Sequence, residues 1–455
     1  VYDNVGMRVR GDSSRSEDKV SWNVEFPPGH LFDIPGVLQA PVDEFNLQRD
    51  QWPTAGQGWT IVDGAGQPKV DYFFVRQQRN GEFHGVGAYL EHTDGRWRDA
   101  YGYGDDSYYK VDDSKLKPYS SEEDARLSLD FDKKEGDEND FTDIYLLTQA
   151  IDQPVGSAEL SYLYDNMDVP ALVNYLAVVT LIRHWDIFNQ NHRITRDPTT
   201  NRWEFLHWDF DAIFPSESDH PEYPMADNLD NRMYQTFFDY PELVDLYNRR
   251  LKTLRDEVLP LELHDYYADI VNSMIAEYAL EDALWGHSGT TNGKIDANEE
   301  RLQLIRDQID ADTDVPSAQP ANPSIIINEL AWDPVAGSDA EFVELRNLEN
   351  TPIDLSGWQL DDAIGITFRG GTVIPANGYL VFVRDSPTFV STYGSGIYVG
   401  GDHSGKLSND GEQVRLLDEN GVEVDAVTYS PDFPWATIGD GPSLERIDPN
   451  GPSDN

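Results

Sequence analysis

Three polar side chains of this 455-residue chain stand at spacings that suit chemistry on a hydroxyl group. Asp186 closes an apolar run at 170–187, Asn191 follows five residues later, and Asp209 ends a second apolar run that begins at Arg202. A carboxylate at the end of a buried helix can orient or deprotonate a hydroxyl. An amide carbonyl with a second carboxylate offers hard oxygen ligands suited to Mg²⁺, which keeps several waters and phosphate oxygens. Asp211 adds a further oxygen two residues on. Spacing alone leaves plainer readings open: Asp186 as a helix-terminal turn residue, Asp209 and Asp211 as a solvated strand end, His184 and His207 as packing residues. A two-carboxylate hydrolase using Asp209 and Asp211 is disfavoured, because strand residues i and i+2 lie about 7 Å apart and no substrate-binding motif is near.

The elements that must position these groups follow from periodicity. Apolar residues at helical spacing predict a helix over 170–187, with Pro170 in its first turn and a buried face of Val173, Leu176, Ala177, Thr180, Leu181 and Trp185. Residues 202–214 read as a strand, and 1–93 as strands with turns, among them a hairpin at Asn80-Gly81. The polar stretch 94–168 turns into a short helix after Lys133, and 240–310 is helical again. A Pro-rich linker at 313–322 separates residues 1–312 from 323–455. Beyond it the period becomes two, with a turn at 418–424, as in an all-β sandwich or barrel.

Composition narrows the function classes. The chain has 83 acidic and 34 basic residues, a net charge of −49, and no cysteine, which excludes disulfides, thiol nucleophiles and Cys-ligated metals. The excess is spread evenly: −16 over 323–455 and −33 over the rest. Of the basic residues 24 are Arg and 10 Lys. Distributed acidity with little Lys fits adaptation to high salt, where screening relieves self-repulsion; an acidic secreted Ca²⁺-binding protein is the alternative. Nucleic-acid binding is disfavoured for want of a basic stripe. No apolar run reaches the roughly 20 residues of a membrane span. The chain opens at Val1 in a polar strand-like run without a signal peptide, which says nothing about export.

The order Asp186, Asn191, Asp209 is similar to the catalytic loop and metal-binding Asp of protein kinases, with His184–Trp185–Asp186 in place of His-Arg-Asp and Asp209–Phe210–Asp211 in place of Asp-Phe-Gly. The run HWDIFNQNHRITRDPTTNRWEFLHWDFD resembles the core of the CotH family, atypical secretory kinases first described from spore coats. Upstream, MRVRGDSSRSEDKVSWNVEF, VRQQRNGEFHGVGAYLEHTD, DDSYYKVDD and KKEGDENDFTDIYLLTQAID are similar to that family's opening hairpin, hinge strands and following stretches, so the resemblance covers about 5–310. It implies an α+β, kinase-like two-lobed domain at 1–312, with lobes at about 1–93 and 94–312. It further implies ATP with Mg²⁺ or Mn²⁺, Asp186 acting on the acceptor hydroxyl, and Asn191, Asp209 and Asp211 holding metal. Arg10, Ser13, Ser14 and Lys19 would lie near the ATP phosphates and Glu91 near adenine. One departure stands out. Where the family has a long helix, 49–69 holds four Gly and two Pro, a poor helix, so no acidic partner for Lys19 is found there.

The second part resembles the lamin-tail domain, an immunoglobulin-like sandwich, through SIIINELAWDP, EFVELRNLENTPIDLSGWQLDD, GTVIPANGYLVF and PSLERIDP. Val343, Leu345, Leu355, Trp358 and Leu360 would form its core. Such domains imply adhesion or targeting rather than catalysis. The combined expectation is an extracellular or cell-surface kinase acting on Ser or Thr of a protein, or docked on a surface or matrix component. An inactive kinase-fold scaffold and a Ca²⁺-dependent adhesion protein are the alternatives.

Overall fold

The structure, a computed structural model, describes residues 2–451 other than 12–14, 16–17, 50–52, 129, 189, 215–230, 260–261, 287–290 and 432–440. A first antiparallel sheet comprises β1 (Gly6–Arg10), β2 (Ser21–Glu25), β3 (Glu44–Gln48), β4 (Tyr72–Arg79) and β5 (Glu82–Glu91), in the order β1-β2-β3-β5-β4. Asn80 and Gly81 join β4 to β5, both with positive φ, the two-residue turn whose twist matches the flanking strands. Between β3 and β4 lies α1 (Pro53–Gly64). This corrects the expectation that 49–69 would form no proper helix. The helix forms because its glycines allow close packing: a Cβ on Gly58 would stand 2.6 Å from the Phe210 ring, and one on Gly64 2.9 Å from Val258. Tertiary contact here overrides a weak local propensity.

A second antiparallel sheet, β7-β6-β8-β9, comprises β6 (Ser107–Val111), β7 (Phe131–Glu135), β8 (His192–Arg196) and β9 (Trp203–His207). The helices of this part are α2 (Gly95–Tyr101), α3 (Glu122–Leu127), α4 (Thr142–Ala150), α5 (Ser157–Asn166), α6 (Val169–Ile182), α7 (Arg232–Phe238), α8 (Pro241–Glu257), α9 (Glu262–Ser273), α10 (Ile275–Trp285) and α11 (Thr291–Ala311), of which α6 packs on β9. Every side chain of α6 is buried. Asp168 caps its start by accepting from the Ala171 N–H, and Pro170 sits in the first turn, where no N–H is missed. The helix ends five residues earlier than expected. Arg183 turns left-handed at φ 48°, and Trp185, expected in the buried face, is 41% exposed. His184 takes the buried place instead. Although α10 belongs to the stretch expected in the second lobe, it packs on β5 of the first sheet.

Past α11 the chain is β-rich. Among the described residues the remaining strands are β10 (Ile325–Ala331), β11 (Phe342–Asn347), β12 (Ile353–Asp354), β13 (Gln359–Asp362), β14 (Ile364–Thr367), β15 (Val373–Ile374), β16 (Tyr379–Val383), β17 (Val399–Asp402), β18 (Ser404–Gly405), β19 (Glu412–Leu417), β20 (Glu423–Tyr429) and β21 (Leu444–Glu445), with an α-helix, α12 (Ser386–Tyr393). Two five-stranded sheets, β17-β16-β11-β10-β21 and β18-β14-β13-β19-β20, enclose Val343, Leu345, Leu355, Trp358 and Leu360, all buried as expected. The apolar core does not stop at 313–322: Ile61, Leu176 and Leu251 belong to one cluster with Leu345, Trp358 and Phe368.

Candidate functional site

The site is assembled from the ends of elements. After α6 the chain turns at Arg183, and buried His184 sets its Nε2 3.0 Å from the Asp209 carbonyl oxygen. Burial lowers the His184 pKa to about 4, so the ring is neutral and Nε2–H donates to that carbonyl. Its role is to hold the two loops together, which agrees with reading it as a packing residue. The Phe214 N–H donates to the Ile182 carbonyl at 2.9 Å and closes the second loop against the helix end. Arg183, Asn191, Asp209 and Phe214 all have left-handed backbones; Asn and Asp tolerate this conformation, but Arg183 and Phe214 hold it at a cost that their surroundings must offset.

Asp186, Asn191, Asp209 and Asp211 line one cleft of about 610 Å³ together with Arg10. Asn191 Nδ2 donates to Asp186 Oδ2 at 2.9 Å, and Gln190 Nε2 lies 2.8 and 2.9 Å from the two carboxylate oxygens. These bonds use the amide nitrogen of Asn191, so its oxygen is the atom suited to a cation. Loss of water raises the Asp209 pKa, opposed by the charges of Arg10 and Arg193 and reinforced by that of Asp186. A desolvated carboxylate facing a second one gains from a bound cation, and the donor set is all oxygen, which fits Mg²⁺ or Mn²⁺.

Other cleft residues escaped the sequence reading: Arg15, Arg49, Lys110, Asp112 and Arg193. Lys110 and Arg193 stand directly opposite each other on β6 and β8. Two cations in such a pair repel, unless anions lie between them. Asp112 contacts Lys110, and the Arg193 guanidinium lies 4.4 Å over the Trp208 ring. Burial lowers the pKa of Arg10 and Arg193. Only the pairing of β6 with β8 brings Lys110 beside the 186–193 loop. The nearest sequence signal was Arg193, two residues past Asn191 on the same strand run.

The remaining expected residues lie elsewhere. Ser13 and Ser14 fall outside the described residues. Lys19 does not line the cleft. It is buried, with Nζ 2.5 Å from both the Val86 carbonyl and Glu281 Oε1, while Glu281 Oε2 accepts from the Val86 N–H at 2.7 Å. Lys19 thus has an acidic partner, supplied by α10 rather than by the 49–69 region. Gly85 leaves room for it, since a Cβ there would be 2.7 Å from Glu281 Oε2. Glu91 ends β5, buried, and accepts from the Asp71 N–H at 2.9 Å.

Residues 7–310 match the CotH family, described as CotH kinase protein, and 318–431 match the Lamin Tail Domain. The chain is similar to Inner spore coat protein H of Bacillus subtilis (strain 168), 27% identical over 272 residues, which are 57% of this chain and 73% of that protein. The crystal structure of a Helicobacter pylori proinflammatory kinase, CtkA, is similar at a TM-score of 0.27 and 11% identity, over 68% of this chain and 94% of that one, too slight a likeness to bear on the fold. No helix among the described residues is long and apolar enough to cross a membrane.

Proposed function

We propose a function from one premise: the chain belongs to the CotH kinase family. Its reaction is transfer of the γ-phosphoryl group of ATP to a Ser or Thr hydroxyl of an exported or surface protein. The observation that supports this most is the cleft itself. It joins four oxygen-bearing side chains from two loops to five basic groups, in a chain where acidic residues far outnumber basic ones.

The acceptor hydroxyl approaches Asp186, which orients it and takes its proton as the new oxygen–phosphorus bond forms and the bond to the β-phosphate oxygen breaks, releasing ADP. Asn191 and Gln190 hold the Asp186 carboxylate in place until then. Arg10, Lys110 and Arg193 oppose the phosphate charge. The Asn191 oxygen, Asp209 and Asp211 would hold Mg²⁺ or Mn²⁺, which supplies charge neutralisation across the phosphates. Lys19 contributes at one remove, fixing β5 to α10. Glu91 carries no nucleotide contact in this reading, its carboxylate being engaged by the Asp71 peptide.

In this reading the catalytic unit is 1–312, joined through 313–322 to a lamin-tail sandwich at 323–455 that localises it to an extracellular surface or matrix component. The even acidity suits a high-salt setting. Purified protein with γ-labelled ATP and Mg²⁺ should label itself or an added acceptor. Asp186→Ala should lower the rate by about 10²–10⁴-fold, the usual weight of a general base. Nucleotide binding without transfer, unaffected by Asp186→Ala, would instead mark a scaffold.

A further inference from the structure

One guanidinium of the sandwich grips the two elements that lead to Asp186 and Asp209. Arg369 opens the turn 369–372 after β14, where both the N–H and the hydroxyl of Thr372 donate to its carbonyl. Its Nη1 and Nη2 meet Glu204 Oε1 and Oε2 of β9 at 2.7 and 2.9 Å, and Nη1 also meets Asp168 Oδ2 at 2.6 Å. Asp168 is the N-cap of α6, its other oxygen accepting from the Ala171 N–H. The Asp168 N–H donates to the Trp203 carbonyl of β9, and the Tyr103 hydroxyl donates to Glu204 Oε2.

The next two residues let the turn come this close. A Cβ on Gly370 would stand 2.2 Å from the Ala65 carbonyl oxygen, and one on Gly371 2.2 Å from that of Pro170, where φ is also +86°. Behind the turn, Arg250 of α8 binds Asp354 of the sandwich, Asn174 of α6 and the Ala65 carbonyl, all at 2.9–3.0 Å. This side of the sandwich is therefore built into the helical part.

We propose that the sandwich, through Arg369, is a positioning element for the two acidic loops of the cleft. Asp168 starts the helix whose far end leads to Asp186, and Glu204 lies on the strand that leads to Asp209. The fully buried helix is about 20 Å long and carries a displacement of its start to its end. Without Arg369, Asp168 and Glu204 would face each other with no cation between them, and repulsion would part the helix start from the strand. Arg369 touches no reacting atom. The role in phosphoryl transfer rests on the function proposed above; the mechanical coupling does not.

Hydrogen–deuterium exchange of the full chain separates the two. In Arg369→Ala, amides of 183–188 and 206–213 should exchange at least about fivefold faster, with those of β20 unchanged. Arg369→Lys, which keeps the charge but loses the fork, should fall between. In the labelled-ATP assay kcat should drop at least about fivefold while KM for ATP stays within about twofold. Faster exchange confined to 366–372, or none, overturns the proposal. If the wild type transfers no phosphate, the exchange result still decides the coupling, and only the kinase reading falls. Should Arg369→Ala not fold, Glu204→Gln removes one charge of the clamp and serves the same comparison.

Discussion

Glu91 shows how burial acts on one side chain of this acidic molecule. Its pKa is raised to about 7, first by desolvation and then by the charges of Asp71 and Asp94, while the Asp71 N–H bond opposes the shift. A carboxyl group whose folded pKa lies above its unfolded value contributes stability that is complete below about 4.5 and is lost as pH rises through about 7. Glu91→Gln keeps an oxygen for the Asp71 N–H and removes the charge. Its unfolding free energy from urea titration should match the wild type near pH 4.5 and exceed it at about pH 8, by on the order of 2 kcal/mol. A deficit at the higher pH would show that the carboxylate is needed ionised. Asp186 belongs to the same scale: in the role proposed above its weight is chemical, and its substitution should leave stability nearly unchanged.

At the scale of elements, α1 is the informative case. Two opposing effects meet at Gly58. Alanine would improve intrinsic helicity by about 1 kcal/mol. Its Cβ would also stand 2.6 Å from the Phe210 ring and 2.8 Å from Ile213, an overpacking worth about 1–3 kcal/mol. The collision wins, so Gly58→Ala should unfold at lower urea. Because Phe210 adjoins Asp209, it should also lose more activity than its stability loss explains. Gly56→Ala is the control: its Cβ would meet Tyr72 at 3.5 Å, an ordinary contact, and it should be neutral or stabilising. Equal behaviour of the two variants would remove the argument. The same logic explains α10, whose Glu281 reaches across 262 residues of sequence to seal Lys19 against β5.

At the scale of the whole molecule, the charge of −49 and the shared core set the behaviour. Self-repulsion of like charge weakens as the Debye length falls from about 10 Å at 0.1 M salt to about 3 Å at 1 M. Melting temperature should therefore rise between those concentrations, and activity should persist at the higher one. Arg10, Arg49 and Lys110 of the cleft are half-buried and Arg193 is buried, so they are screened less than the acidic surface. Best activity at low salt with steep inhibition by molar salt would contradict this. The continuous core also gives the sandwich a share in holding α6 and α8, which a flexibly tethered adhesion module would not have.

Local patterning made much of this legible. The Asn80-Gly81 hairpin, the buried run of α6, the change to period two past 323 and the order Asp186, Asn191, Asp209 all depend on near neighbours in the chain, so periodicity and turn chemistry expose them. What the tertiary structure decided are pairings between distant segments. No local rule ends α6 at Ile182 and sends Trp185 outward; the burial of His184 under the Asp209 carbonyl does. No propensity favours α1, but its glycines fit against Phe210 and Val258. Lys110 enters the cleft through β-pairing, Lys19 finds Glu281 through helix docking, and Arg369 reaches Asp168 and Glu204 across the linker. The sequence by itself determined the order and spacing of Asp186, Asn191, Asp209 and Asp211, the candidates for the proposed chemistry, because residue type and short spacing are local. Which charges face one another was decided by the fold, because burial makes an unpaired charge costly and the partner that relieves it comes from wherever the packed chain passes.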